Sequence, residues 1–360
     1  MPVKKHLYFL DNLRVGLITL VIAHHVAQPY GPTGGFWPIM EAARAPILGA
    51  FFTVNRSFFM SLFFMISGYL AVQSYDGHGP WPFLKSRLLR LGIPVLVWML
   101  LMIPVTVFAF GGKPWPLEAS HLWFLEHLLI FSAVYVLWRV IRDRRARRAE
   151  AAGPAAAEPE LRPTPRAWAI LLFALGLALA SAVVRTWFPI DKWVYLLGFI
   201  KVAFADVPRD LSFFIIGIVA YRQQWIQRFP TRAGYGWLGV GVGLALVWTA
   251  GDLIGWDRFA ISDFAWGLIY PTWESLLCCG MCIGLTVLFR EKLNLKGKLG
   301  QTLAQSQYAA YIIHILPVLL VQLAILSLPL PPLAKFILAT LISVPLVFFI
   351  SNLVRKPLHL

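Results

Sequence analysis

Two ionisable residues in the first apolar segment combine types and a spacing that could do chemistry. Arg14 and His25 lie eleven positions apart. An α-helix turns about 100° and rises about 1.5 Å per residue, so their side chains would share one face, about 16 Å apart along the axis. Ionisable groups are costly in bilayer hydrocarbon and usually mark a pathway or a reaction site there. The pair therefore predicts a site that is entered from one side and reacts at depth.

The two members of this pair suit different tasks. Imidazole accepts or donates a proton near neutral pH, whereas guanidinium keeps its charge and binds phosphate or carboxylate. A lone histidine in a membrane helix is more often a hydrogen-bonded contact between helices, so the shared face with Arg14 favours a chemical role for His25. The neighbouring His24 points about 100° away and cannot serve the same site equally. Asp11, one turn before Arg14, is expected to orient it through an ion pair.

A basic cluster precedes the third apolar segment. Lys85, Arg87 and Arg90 lie close together there, and the spacing of Arg87 and Arg90 predicts one side of a helix. Such cations often only anchor a membrane helix at the inner surface. Together with Arg14 they would also suit a ligand that carries several phosphates.

Two other polar groups are candidates for the same site. Glu126 lies a few residues inside the fourth apolar segment and is a candidate second proton handler, although an exposed carboxylate at the membrane interface would have the same pattern. Tyr308, Tyr311 and His314 recur every three residues and would form one helical stripe. Their polar ends could support the site or hold helices together by hydrogen bonds.

The elements that must position these residues are membrane helices. The 360 residues are 59% hydrophobic and only 14% charged, against about 25% charged residues in soluble domains. Long unbroken apolar runs exclude a strand-based barrel. We predict an all-α polytopic bundle of about ten spans, at roughly 7–27, 51–75, 88–110, 122–140, 167–187, 210–224, 234–250, 262–289, 303–326 and 333–354.

The charge distribution predicts the orientation of this bundle. The net charge is +15, and most Lys and Arg fall at the ends and loops that are inner if the N-terminus is cytoplasmic. This is the positive-inside pattern, which places both termini in the cytoplasm. The basic excess is thus explained by topology, and we expect no nucleic-acid partner. Partners are expected to include the lipid bilayer, and the oligomeric state stays open.

We expect one integral membrane domain over residues 1–360. Residues 142–166, rich in Arg, Ala and Pro, are predicted to form a cytoplasmic basic loop within it. Cys278, Cys279 and Cys282 share one predicted span. A redox pair or half a metal site is possible by spacing, but no second cysteine pair exists, so buried thiols and no metal are expected.

Five motifs in order resemble the integral membrane acyltransferase family called acyltransferase 3. The motifs, which span nearly the whole chain, are Leu10-Asp11-Asn12-Leu13-Arg14 with His25, Phe63-Phe64-Met65-Ile66-Ser67-Gly68-Tyr69, Arg87-Leu88-Leu89-Arg90 with Pro94, His121-Leu122-Trp123-Phe124-Leu125, and Tyr308-Ala309-Ala310-Tyr311 with His314. Tyr8-Phe9-Leu10-Asp11 is further similar to the branch that contains glucan biosynthesis protein C.

The resemblance implies a membrane O-acyltransferase. Such an enzyme moves an acetyl or succinyl group from cytoplasmic acyl-CoA, as co-substrate, to a hydroxyl of an extracytoplasmic glycan or related acceptor. The functional His and Arg of the family fall on His25 and Arg14, and its basic inner motif falls on Arg87 and Arg90. A bacterial-type inner membrane is the expected location. We expect His25 to be a general base, oriented by Glu126 or a tyrosine.

Three alternatives stay open at this point. His25 could instead be a nucleophile that carries the acyl group as an acyl-imidazole. A proton-coupled carrier for a lipid-linked sugar or an anion would also use intramembrane His and Arg, without covalent chemistry. A signalling or scaffold membrane protein would tolerate replacement of His25 and Arg14.

Overall fold

Helices dominate the computed structural model, which describes residues 6–32, 37–109, 119–150 and 161–355. The strands β1 (Val194–Leu196) and β2 (Ile200–Val202) form an antiparallel hairpin, which pairs Val194 with Val202. In chain order the helices are α1 (Tyr8–Val26), α2 (Ile47–His78), α3 (Pro80–Arg87), α4 (Ile93–Ala109), α5 (Trp123–Glu150), α6 (Ala167–Arg185), α7 (Val207–Arg222), α8 (Trp225–Arg228), α9 (Thr231–Ile254), α10 (Asp263–Lys292), α11 (Lys298–Ile313), α12 (Ile315–Ile325) and α13 (Pro332–Val354).

Seven helices in the described ranges are long and apolar enough to cross a membrane, namely α1, α2, α5, α6, α9, α10 and α13. An eighth span results if α11 and α12, which meet at a 73° bend, cross together. The helices α4 and α7 occupy two further predicted spans, but their 17 and 16 residues fall below the roughly 20 that a crossing usually takes. The chain is a multi-pass helical membrane protein, while the count of ten and the cytoplasmic position of both termini stay predictions.

The bend between α11 and α12 has a local cause. Proline lacks an N–H group, and its ring clashes with the carbonyl four residues earlier. For Pro317 that carbonyl belongs to Ile313, the last residue of α11. The helix therefore breaks at His314, which lies between α11 and α12.

Two compact units divide the chain. The first consists of Met1–Phe63, Ala167–Ala182 and Phe229–Leu360. Within it α1 packs against α10, α11, α12 and α13, and α9 packs along α10. A Cβ atom at Gly280 would lie 2.8 Å from the backbone nitrogen of Gly241, so α9 and α10 approach closely only because small residues face each other.

The second unit consists of Phe64–Arg166 and Val183–Arg228. Here the second half of α2 packs against α7, because Gly68 and Gly217 leave room for the opposite backbone. A Cβ atom at Gly217 would overlap the carbonyl oxygen of Met65. Small residues at such a contact let membrane helices approach closely.

Candidate active site

His25 lies in the last turn of α1, where its imidazole is half-buried. Its Nδ1 atom lies 2.9 Å from the carbonyl oxygen of Val21, one turn earlier. A carbonyl oxygen only accepts hydrogen bonds, so Nδ1 of the neutral ring carries the proton and donates it. This contact leaves the lone pair of the ring at Nε2, the atom that can take up a proton.

His314 lies beside His25 in the first unit. Its side chain is fully buried, and its Nδ1 atom lies 2.8 Å from the carbonyl oxygen of Tyr311. By the same reasoning Nδ1 donates and Nε2 of His314 is a hydrogen-bond acceptor. This Nε2 atom lies 3.3 Å from Nδ1 of His25, and the two ring centroids are 4.8 Å apart. The bend after α11 thus places His314 on the Nδ1 side of the His25 ring.

These contacts decide what the histidine pair can do. The Nδ1–H group of His25 faces two acceptors, the Val21 carbonyl and Nε2 of His314. When Nε2 of His25 takes a proton, the ring becomes positively charged, and the two acceptors at Nδ1 stabilise that charge. The pair is therefore built to let His25 accept a proton and release it again, with His314 as the residue that orients it.

His24, the neighbour of His25, has a different environment. Its ring stacks at 5.3 Å on Phe59 and lies 5.0 Å from Phe52. Its Nδ1 atom is buried and has no hydrogen-bond partner among the described residues. The sequence placed the two histidines on different sides of α1, and the structure gives His24 aromatic packing.

Two residues that the sequence analysis missed also contact this site. Gln322 of α12 is fully buried and donates to the carbonyl oxygens of His25, at 3.2 Å, and Val26, at 3.1 Å. Its Oε1 atom accepts a 2.9 Å hydrogen bond from Nε1 of Trp37. The available signal was a single glutamine within the apolar run of α12.

Tyr308 and Tyr311 were predicted to share a stripe with His314. Tyr311 is buried, and its ring centroid lies 6.0 Å from that of His314. Tyr308 is half-buried on the same helix. Within the first unit the structure thus brings His25, His314 and Tyr311 together.

Arg14 lies in the first half of α1, also in the first unit. Its guanidinium is 3.8 Å from the carboxylate of Asp11, and the two side chains are 30% and 23% exposed. The other carboxylate oxygen of Asp11 contacts Nε2 of His6 at 2.6 Å. Next to this pair, Asn12 donates to the carbonyl oxygens of Leu293 and Leu295. Arg14 therefore combines partial exposure with a nearby carboxylate that orients it.

Arg87 and Arg90 belong to the second unit. Arg87 ends α3 and lies over the ring of Phe83, 5.1 Å from its centroid. Arg90 is exposed in a π-helical turn over Leu88–Gly92. We predicted a common face from regular α-helical spacing. The wider π-helical turn interrupts that spacing, so it does not by itself fix a common face.

Glu126, in α5 of the second unit, has a contact that the sequence did not predict. Its carboxylate accepts a 3.3 Å hydrogen bond from the backbone N–H of Lys201 in β2. The adjacent His127 donates from Nε2 to the carbonyl oxygen of the same residue at 3.2 Å. The two side chains thus clamp the β-hairpin to α5. A proton-handling role for Glu126 stays a prediction.

A buried ionic cluster in the second unit was also missed. Arg209 lies 3.2 Å from Asp206 and 3.7 Å from Asp210, and Arg185 lies 3.5 Å from Asp206. The only local signal was the spacing of three and four residues from Asp206. Buried ion pairs of this kind fix geometry more than they add stability.

The described ranges contain no group of three or more His, Cys, Asp or Glu side chains that could hold a metal ion. The three cysteines are free and buried in α10. Sγ of Cys278 lies 3.9 Å from Sγ of Cys282, one helical turn away. The thiols therefore contribute to packing in α10.

Comparison with known families matches residues 7–352 to an acyltransferase domain. Glucans biosynthesis protein C of Salmonella schwarzengrund (strain CVM19633) is 29% identical over 254 residues, which cover 65% of this chain and 64% of that protein. The proteins of the same name from Salmonella typhi and Salmonella typhimurium are equally similar. The chain thus spans 64% of the length of these curated relatives. No solved structure matches it significantly.

Proposed function

Because this chain belongs to the acyltransferase 3 family, we propose that it transfers an acyl group from acyl-CoA to a hydroxyl group of a glycan. The resemblance drawn from the five motifs is confirmed, and with it the assignment as a membrane acyltransferase. The names of the curated relatives support a glucan as the acceptor. An acetyl or succinyl group, cytoplasmic acyl-CoA and an inner-membrane location complete the proposal.

One observation carries the proposed mechanism, namely the contact of His25 with Val21 and His314. Both contacts are made by Nδ1 of His25, which keeps Nε2 as its basic atom. A general base of this kind contributes about 10²- to 10⁴-fold to a reaction rate when it lies within hydrogen-bond reach of the proton. The acceptor hydroxyl is the group whose proton it would remove.

The reaction then proceeds with all atoms accounted for. Nε2 of His25 takes the hydroxyl proton while the hydroxyl oxygen attacks the thioester carbonyl carbon. The resulting tetrahedral intermediate collapses, the carbon–sulfur bond breaks, and the thiolate of CoA leaves with the electron pair. The imidazolium of His25 returns the proton to that thiolate. The products are the acyl ester of the acceptor and free CoA.

His314 acts in this scheme as a positioning residue. Its Nε2 atom accepts from Nδ1 of His25, so it holds the His25 ring in one orientation and one tautomer. The 2.8 Å contact with the Tyr311 carbonyl in turn fixes the tautomer of His314. The Tyr311 carbonyl therefore fixes which nitrogen of His314 carries the proton, and His314 in turn favours the proton on Nδ1 of His25.

The donor is expected to bind through its phosphates. Guanidinium groups bind phosphate through paired hydrogen bonds, and Arg14 is partly exposed next to an orienting carboxylate. Arg87 and Arg90 are the further candidates, as the family motif implies. Binding of the thioester and the acceptor at one site removes much of the entropic barrier.

Replacement of adjacent histidines tests the proposal. We would reconstitute the protein in liposomes, supply acetyl-CoA or succinyl-CoA with a glucan acceptor, and measure release of free CoA. His25→Phe should lower turnover at least 100-fold. His24→Phe is the matched control, because the same change one residue away suits the aromatic surroundings of His24. Equal turnover by both variants would exclude His25 as the base.

The same assay separates the alternatives. An acyl-imidazole at His25 would be trapped as a mass increase on the His25 peptide after incubation with acyl-CoA but without acceptor. A carrier would move its substrate across the liposome membrane without consuming acyl-CoA. Arg14→Ala should raise the acyl-CoA concentration needed for half-maximal turnover.

A further inference from the structure

The loop that follows α1 is fastened to the helices at two buried points, one of which involves the backbone of His25. At the first point Gln322 donates to the carbonyl oxygens of His25 and Val26. The last carbonyls of a helix lack the usual partner one turn later, and that of His25 also accepts a 3.3 Å hydrogen bond from the backbone N–H of Gln28. Gln322 thereby fixes the end of α1 from a side chain that is fully buried.

The same glutamine also fixes Trp37. Its Oε1 atom accepts from Nε1 of the indole at 2.9 Å, and the indole is 9% exposed. One amide group therefore contacts both the backbone of His25 and the indole of Trp37. The side chain of Gln322 thus links the two residues.

The second point lies further along the loop. Lys335 of α13 is buried and donates to the carboxylate of Glu41 at 2.6 Å and to the carbonyl oxygen of Leu326 at 2.7 Å. The backbone of Ala45 adds a 2.8 Å hydrogen bond to the carbonyl oxygen of Tyr30. Because the loop is anchored on both sides of Trp37, the indole is held in place.

Trp37 is a direct neighbour of the His25 ring. Its ring centroid lies 5.8 Å from that of His25. A hydroxyl bound to Nε2 lies about 3 Å from that atom, and the attacked carbonyl carbon lies about 3 Å further. The attacked carbon would thus lie about 6 Å from Nε2, and the indole, the bulkiest side chain, is near enough to His25 to contact a long acyl group.

We propose that the Trp37 indole is a wall that limits the size of the acyl group transferred at His25, and that Gln322 holds this wall in position. The proposal rests on the acyl-transfer function proposed above and goes further, because it names the residue that selects short donors. Trp37 is a specificity-determining residue in this scheme, and Gln322 is a positioning residue.

The test compares donors of increasing length. Native protein and Trp37→Ala in liposomes would be given acetyl-CoA, succinyl-CoA and hexanoyl-CoA with the glucan acceptor. We would measure kcat/KM for each donor. A pocket that gains or loses one methylene changes discrimination about 10- to 200-fold. We expect the hexanoyl-to-acetyl ratio to rise at least tenfold in Trp37→Ala.

Three further variants make this result specific. Trp248→Ala is the matched control, because Trp248 is 7% exposed in the first unit and packs on Trp256 and Trp273; its donor ratio should equal that of the native protein. Trp37→Phe should raise the ratio less than Trp37→Ala, and it replaces Trp37→Ala if that variant does not fold. Gln322→Met keeps the length of the side chain without its hydrogen bonds and should also raise the ratio.

The possible outcomes distinguish this inference from the function on which it rests. If the Trp37 variants keep native turnover and an unchanged hexanoyl-to-acetyl ratio, Trp37 does not limit the acyl group. The proposed acyl transfer would be unaffected by that result. A ratio that changes equally in Trp248→Ala would overturn the wall as well, since any lost indole would then suffice. Absence of acyl-CoA consumption by the native protein would overturn the proposed function and the wall together.

Discussion

Nε2 of His314 lies 3.3 Å from Nδ1 of His25, although 289 positions separate the two residues in the chain. Both rings direct Nδ1 at a backbone carbonyl, Val21 for His25 and Tyr311 for His314. Two helix ends therefore fix two tautomers, and these fix which atom of His25 is basic. His25 is half-buried and His314 is fully buried. This arrangement suits a reaction in which the His25 ring contacts the substrate and the His314 ring orients His25.

Replacing His314 should slow the chemical step without weakening donor binding. In His314→Phe the charged form of His25 loses one of its two acceptors at Nδ1. A hydrogen bond to a charged group contributes about 1.5–3 kcal/mol, so we expect kcat to fall about 10- to 100-fold, with the KM for acyl-CoA unchanged. Steady-state turnover in liposomes measures both constants.

The control for this prediction is again His24→Phe, which should keep native kcat and KM. His314→Phe should also change the pH profile of kcat, because the surroundings of the titrating base are altered. A variant that keeps native kcat at every pH would show that His314 only packs against α1. A rise in KM alone would instead place His314 in donor binding.

The sequence predicted the helices well because the membrane imposes long apolar runs. The first span and its Arg14–His25 spacing needed only local information. The pairing of His25 with His314 was out of reach, since it depends on the bend that Pro317 imposes and on the packing of α1 against α11 and α12. The stripe of Tyr308, Tyr311 and His314 identified the right helix without identifying its partner.

Other features lacked a readable signal for different reasons. The π-helical turn at Leu88–Gly92 interrupts the regular α-helical spacing between Arg87 and Arg90. No local residue pattern predicts such a turn. The contact of Glu126 with Lys201 depends on the short hairpin of β1 and β2. Gln322 was missed although it is a single glutamine in an apolar run, because its role depends on where Trp37 lies.

The close packing of α2 and α7 should be sensitive to a single methyl group. In Gly217→Ala the new Cβ would overlap the Met65 carbonyl oxygen, and overpacking of this kind costs about 1–3 kcal/mol. We expect a lower melting temperature of the purified protein in detergent. Gly236→Ala is the control, because a Cβ there meets no atom within 4 Å and alanine favours the helix. Equal melting temperatures for the two variants would contradict the contact.

The loop above α1 should respond to alkaline pH through Tyr30. Burial and the nearby carboxylate of Glu41 raise the pKa of Tyr30 to about 12, against about 10 in an unfolded chain. A group that holds its proton more tightly in the folded state stabilises that state below pH 10, and this contribution is lost as the pH rises to about 12. Phenolate absorbance during an alkaline titration should show one late tyrosine that Tyr30→Phe lacks. A difference that titrates near pH 10 would contradict the burial of this phenol.

The contact of Glu126 with the backbone of Lys201 leads to a prediction that separates clamping from proton transfer. In Glu126→Gln the side-chain oxygen can still accept from the Lys201 N–H, whereas an amide cannot take up a proton. The 3.3 Å contact favours the clamp, so we expect Glu126→Gln to keep turnover within about threefold of the native value. Glu126→Leu removes this acceptor, and loss of a hydrogen bond of this kind costs about 0.5–1.5 kcal/mol, which should lower the melting temperature. A loss of turnover of 100-fold or more in Glu126→Gln, with native melting behaviour, would establish Glu126 as a proton handler.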